Sequence, residues 1–232
     1  MSIQMSATLV EAHPNRASRF YAAPIGKKAV MAVTGVVLFG FVLGHLAGNL
    51  QVFEGPHKLD SYAAFLKATP ALLWGTRLVL LASVILHIVA SIQLTQMKRA
   101  ARPVAYAKKD NSHSSFASRT MMWSGPVIAF FIAFHLMHFT LGTGQPNFNG
   151  TAVFSNIVHA FQSPLVALFY IFAMLLLGTH LYHGLYSMFQ TLGANHPSYT
   201  PVIKRVAALG AILITAGFIA IPVAVLAGVI HT

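Results

Sequence analysis

The sequence predicts an all-α membrane protein, five transmembrane helices in one bundle, with the N-terminus in the cytoplasm and the C-terminus outside. Three observations carry that reading. The 232 residues are 56% hydrophobic and only 8% charged, too apolar for a soluble domain of this size. The apolar runs are long enough to cross a bilayer. The cations fall in alternate connecting segments, so the formal charge of +11 marks topology and anionic lipid contact and excludes a nucleic-acid partner. A docked soluble partner on the same basic face is the sharper reading of that charge.

The elements follow in order. Residues 1–26 are polar, contain Pro14 and Pro24, and read as a cytoplasmic arm with a short surface helix. Residues 27–232 read as a single five-helix domain. The first span, 27–50, lacks a small-residue cleavage pattern and reads as a span that is kept. Arg16, Arg19, Lys27 and Lys28 stand at or before its start. It carries a row of Gly40, Gly44 and Gly48 beside His45, which admits either a neighbouring helix or a flat macrocycle close to the backbone.

Gly55-Pro56 and Thr69-Pro70 bracket an outer loop, within which His57 to Lys67 reads as a short interfacial helix. The second span is 71–97. Lys98, Arg99, Arg102, Lys108, Lys109 and Arg119 then form a basic cytoplasmic connection. The third span is 120–141, with Pro126 placed to kink it. Residues 142–162, rich in Gly and Asn and without formal charge, read as an outer loop. Ser163-Pro164 opens the fourth span, 163–190. Lys204 and Arg205 precede the fifth, 206–230, which reads as bundle packing. Only Lys58, Lys67 and Arg77 lie in the alternate segments.

Four histidines, His45, His87, His135 and His180, sit one in each of the first four spans. Imidazole in hydrocarbon is expensive and usually functional. At a rise of about 1.5 Å per residue, His45 lies about 25 Å beyond Lys28 and His135 about 24 Å beyond Arg119. His87 lies about 16 Å from Lys98, and His180 about 20 Å from the end of its span near Gly193. The first and third spans therefore offer an outer pair, and the second and fourth an inner pair.

Two imidazoles at one depth suit the axial positions of a b-type haem iron. Zinc fits less well. A closed zinc site takes four ligands, usually with cysteine or carboxylate, and the chain has no cysteine and no Asp or Glu in its spans. The same lack of acids weighs against a histidine-lined metal transporter. With no cysteine, disulfides, cysteine-ligated clusters and covalent c-type haem are excluded. A haem-free structural anchor is a further alternative.

His138 and His183 each follow a partner histidine by three residues on the same helical face. One of each couple is then a ligand and the other a hydrogen-bonding partner for a haem propionate or a quinone. Lys28, Arg119 and Ser124 are inner candidates for propionate contact, and Arg77 and His138 outer ones. Arg77, Asp60, His57 and Glu54 are candidates for a quinone site. His13, His57, His113, His159, His196 and His231 read as solvated loop or terminal residues.

The motifs in order are Ile25-Gly26-Lys27-Lys28 with Met31 and Thr34-Gly35, His45-Leu46-Ala47-Gly48-Asn49-Leu50, and Leu86-His87-Ile88. Ser124-Gly125 with Phe134-His135-Leu136 follows, then His180-Leu181-Tyr182-His183-Gly184-Leu185-Tyr186. In this order and spacing the chain resembles the five-helix, di-haem cytochrome b membrane anchor of succinate dehydrogenase and the related fumarate reductase anchors. The resemblance covers the first four spans.

It implies two non-covalent b-type haems, ligated by the first and third and by the second and fourth spans, with His135 preferred over His138 and His180 over His183. It implies flavoprotein and iron–sulfur partner subunits on the cytoplasmic face of a bacterial inner membrane, and electron transfer to a membrane quinone, commonly menaquinone. Succinate chemistry itself would belong to the partners. Formate dehydrogenase and hydrogenase anchors are alternatives of the same class. Some fumarate reductase anchors carry a glutamate two residues before the fourth ligand; Gly178 stands there and tilts the expectation towards succinate oxidation.

Overall fold

The computed structural model describes residues 15–102, 115–194 and 196–232. His13, Pro14, Lys108, Lys109 and His113 lie outside the described residues. Among the described residues the protein is all-helical, with no strand. Five helices are long and apolar enough to cross a membrane.

A seven-residue helix, α1 (Arg16–Ala22), is N-capped by Asn15, whose Oδ1 accepts from the Ser18 amide at 2.8 Å. Its last carbonyls are satisfied by Lys27, whose Nζ donates to Tyr21 O at 2.7 Å and Ala22 O at 3.0 Å. Lys27 is thereby buried, and Tyr21 in turn donates to Gln93 Oε1 at 2.9 Å. The first long helix, α2 (Pro24–Leu50), starts at Pro24, inside the stretch assigned to the arm by sequence, because proline suits the first helical turn. A 3-10 turn, Gln51–Glu54, leads through Gly55 (φ 93°) to α3 (Pro56–Ala68), the expected interfacial helix.

The second span is α4 (Pro70–Ala100) and the third α5 (Phe116–Phe139), with Pro126 in its interior. The segment read as an outer loop contains a helix instead, α6 (Val153–Phe161), with Phe154, Ile157, Val158 and Phe161 buried along one face. The Gly- and Asn-rich lead-in obscured it. That lead-in is itself ordered by side-chain bonds. Asn156 Oδ1 accepts from the Asn149 amide at 3.0 Å, and its Nδ2 donates to Asn149 O at 2.7 Å. The last two spans are α7 (Pro164–Thr191) and α8 (Thr200–Leu226); α8 begins before residue 206, with proline again in its first turn.

The helices α2, α4, α5 and α7 form a square. α2 packs on α4, α5 on α7, and α2 on α7. The fourth side is touched by Thr95 of α4, whose hydroxyl reaches Met122 Sδ of α5 at 3.5 Å. The diagonal pairs, α2 with α5 and α4 with α7, have at most slight backbone packing among the described residues. α8 fills the outside groove between α7 and α2. It comes so close to α7 that a Cβ on Gly178 would collide with Thr215 Oγ1, and a Cβ on Gly217 would lie 3.0 Å from Leu46 of α2.

The spans turn large apolar side chains outward, among them Leu78, Phe130, Leu165 and Leu213, each more than 60% exposed, as lipid-facing surfaces do. Arg16, Arg19, Lys98, Arg99, Arg119, Lys204 and Arg205 belong to one end of the bundle; Glu54, Lys58, Asp60, Lys67 and Arg77 belong to the other.

That other end is closed by α3 and α6. Asp60 Oδ1 accepts from the Phe154 amide at 2.9 Å, in the first turn of α6. Lys67 Nζ donates to the Gly150 carbonyl. Val52, Leu59 and Val158 lie buried beneath. The Tyr62 ring lies over Gly48, where a Cβ would stand 2.7 Å from its Cε1. The exposed pair Glu54–Lys58, at 3.8 Å, adds little.

Two expected outcomes test this packing by thermal unfolding in detergent. Asp60→Ala removes the cap across α3 and α6 and costs about 1 kcal/mol. Gly178→Val forces α7 from α8 and costs about 1–3 kcal/mol.

Candidate functional site

Each sequence-predicted histidine lies on one corner helix of the square: His45 on α2, His87 on α4, His135 on α5 and His180 on α7. The structure brings them together across the diagonals. The ring centres of His45 and His135 are 5.8 Å apart, with the planes 86° from parallel. Those of His87 and His180 are 6.4 Å apart, with the planes 53° from parallel. Helices with at most slight backbone packing thus meet through imidazoles in the middle of the bundle.

The two pairs are at different levels. His87 lies beside Gly35 of α2, with its Cε1 3.6 Å from where a Cβ would be. Gly35 precedes His45 by ten residues, so the levels are about 15 Å apart along the helix.

Burial requires polar partners for the ring nitrogens. His87 Nδ1 is 3.1 Å from Thr34 Oγ1. His180 Nδ1 is 3.5 Å from the hydroxyl of Ser124, which is 1% exposed. The Asn49 side-chain amide donates to His45 O at 2.7 Å and lies 3.3 Å from His45 Nδ1. His135 Nδ1 is buried without a hydrogen-bond partner. Phe41 stacks on His45 at 5.2 Å, and Phe131, Phe139 and Tyr170 surround His135.

The donor set and its spacing suit metal ligation by pairs. An axial imidazole nitrogen sits about 2 Å from its metal and about 1 Å from its own ring centre, so two axial ligands of one ion have centres about 6 Å apart. Both observed separations match. Among the described residues, no group of three or more His, Cys, Asp or Glu side chains converges, so a closed four-ligand zinc site has no basis there. The glycine row divides by role. Gly48 packs against Tyr62, whereas Gly40 and Gly44 are exposed and a Cβ on either would meet no atom within 4 Å.

The remaining candidates are distributed as follows. His138 is 5% exposed, with its Nδ1 3.0 Å from the hydroxyl of Tyr170, a ring that also contacts His135, and its own ring packed on Phe134 and Phe139. His183 is half-buried on α7, one turn beyond His180. Ser124, expected near a propionate, is engaged with His180. Lys28 is exposed at the start of α2. Arg119 lies in the first turn of α5. Arg77 lies over the exposed ring of Trp74 at 5.0 Å, an arrangement suited to a bilayer interface.

Asp60 is committed to capping α6, and Glu54 and His57 are exposed at the same end of the bundle. Exposed His159, His196 and His231 follow the solvated reading. Sequence reasoning missed Thr34, Asn49 and Tyr170 as partners of imidazoles. Thr34 and Tyr170 act across helices, which no spacing within one span encodes. Asn49, four residues after His45, was legible as a same-face neighbour.

No protein family, curated protein or solved structure compared with this chain matches it. The functional reading therefore rests on the residues and their geometry.

Tyr170→Phe tests the buried couple with His138. It strands an imidazole nitrogen and lowers stability by about 1–3 kcal/mol, measured by thermal unfolding in detergent.

Proposed function

We propose that the chain is a membrane-embedded di-haem cytochrome b, the anchor and electron-transfer subunit of a succinate:quinone oxidoreductase. The observation that carries this reading is the pair of imidazole couples on the two diagonals of one four-helix square, each with ring centres about as far apart as two imidazoles sharing one ion would be. His87 and His180 would hold the inner haem, and His45 and His135 the outer one. When bound, the haems supply one-electron transfer across the membrane, from a partner iron–sulfur subunit to a quinone.

The chain's residues do the rest. The square fixes the depth of each couple. The aromatic side chains around His45 and His135 exclude water and lower the local dielectric. The basic end of the bundle, assigned to the cytoplasm by the positive-inside rule, offers the docking face for the flavoprotein and iron–sulfur subunits. The setting is the inner membrane of a bacterium. Menaquinone is the quinone the family resemblance favours. Gly178, pressed against Thr215, leaves no room for a proton-carrying glutamate, which favours succinate oxidation over fumarate reduction.

Reduction by dithionite is expected to give a b-type alpha band with about two haems per chain. In the intact complex, succinate is expected to reduce them; reduction only by formate or hydrogen would instead identify the anchor of another dehydrogenase. His87→Ala or His180→Ala should remove the inner haem and spare the outer, and His45→Ala or His135→Ala the reverse. A colourless, fully assembled protein grown with ample iron would overturn the proposal.

A further inference from the structure

The two imidazole couples differ in what their Nδ1 atoms face. On the inner couple, both Nδ1 atoms face a buried hydroxyl from a neighbouring helix, Thr34 of α2 for His87 of α4, and Ser124 of α5 for His180 of α7. On the outer couple there is no hydroxyl. His45 Nδ1 faces the donor end of the Asn49 amide, and His135 Nδ1 has no partner.

The roles at Thr34 follow from proton counting. A threonine hydroxyl has one proton to donate and two lone pairs. Val30 O, at 2.7 Å, and Met31 O, at 3.2 Å, are both acceptors on the same helix, and they take that proton. What Thr34 presents to His87 at 3.1 Å is then a lone pair, and the Met31 carbonyl, which also hydrogen-bonds the His87 ring, is an acceptor too, so His87 Nδ1 carries the proton and donates towards α2. A neutral imidazole with its proton on Nδ1 has its free electron pair on Nε2. Thr34 is buried, so no water competes for the contact. The His87 ring lies against Gly35, next to Thr34, which holds it at this one height on α2.

We infer that Thr34 is a positioning residue for His87: it accepts the Nδ1 proton, leaves Nε2 as the ligating nitrogen, and through the more basic imidazole lowers the potential of the iron bound there. An acceptor on the far ring nitrogen raises ligand basicity and stabilises the more positive iron. The inference rests on the di-haem reading and deepens it.

The test is a redox titration of the whole complex in membranes, followed by the alpha-band absorbance. The inner component is identified as the one missing from His87→Ala. Thr34→Val keeps the shape and removes the acceptor; Thr34→Ser keeps the acceptor. The expected result is an upward shift of the inner midpoint in Thr34→Val, an unchanged outer midpoint, and the wild-type inner midpoint in Thr34→Ser.

If Thr34→Val loses the inner haem, retention of that haem at the wild-type midpoint in Thr34→Ser supports the inference, and its loss there overturns it. An inner midpoint unmoved in a fully haem-loaded Thr34→Val overturns it too, while leaving the di-haem reading intact. Absence of haem from the wild-type complex would overturn the functional reading itself.

Discussion

A nitrogen buried among hydrocarbon side chains has to find a partner, and that need organises this bundle. The imidazoles of His45, His87, His135 and His180 all point into the square, where they meet each other across the diagonals. Hydroxyls and an amide from the same helices take most of the remaining ring nitrogens. The diagonal helices meet through these rings, and three sides of the square do the close packing. The centre is therefore shaped by polar geometry, while the perimeter is shaped by lipid.

This division explains where glycine is used and for what. Gly178 and Gly48 are packing positions, where α8 and α3 respectively press on a backbone. Gly40 and Gly44 have open space before them, on the helix that bears His45. The same residue type thus serves contact in two places and clearance in two others. α8, without a histidine among its described spanning residues, braces α2 and α7, and so fixes the angle between one member of each imidazole couple.

Much of this was legible in the sequence. The spans follow from apolar length, and α3 from the two Gly-Pro and Thr-Pro breaks around it. The depth pairing of the histidines follows from helical rise alone, and the contacts across the square join the same partners. What stayed hidden depends on how helices are rotated against one another. Thr34 and Tyr170 find imidazoles on other helices, and single-span periodicity carries no information about that rotation. α6 was obscured for a different reason. Its lead-in is built from residues that usually mark loops, although Phe154, Ile157, Val158 and Phe161 repeat at helical intervals and were the signal to follow.

The bond from Asp60 to the start of α6 joins residues 94 apart in the chain. A ribosome delivers the carboxylate long before the amide it will hold. Until α6 emerges, α3 lacks both its acceptor's mate and the apolar surface that buries Leu59. The cover over that end of the bundle is accordingly shared between two connecting segments, and it can close only after the first three long helices have been made.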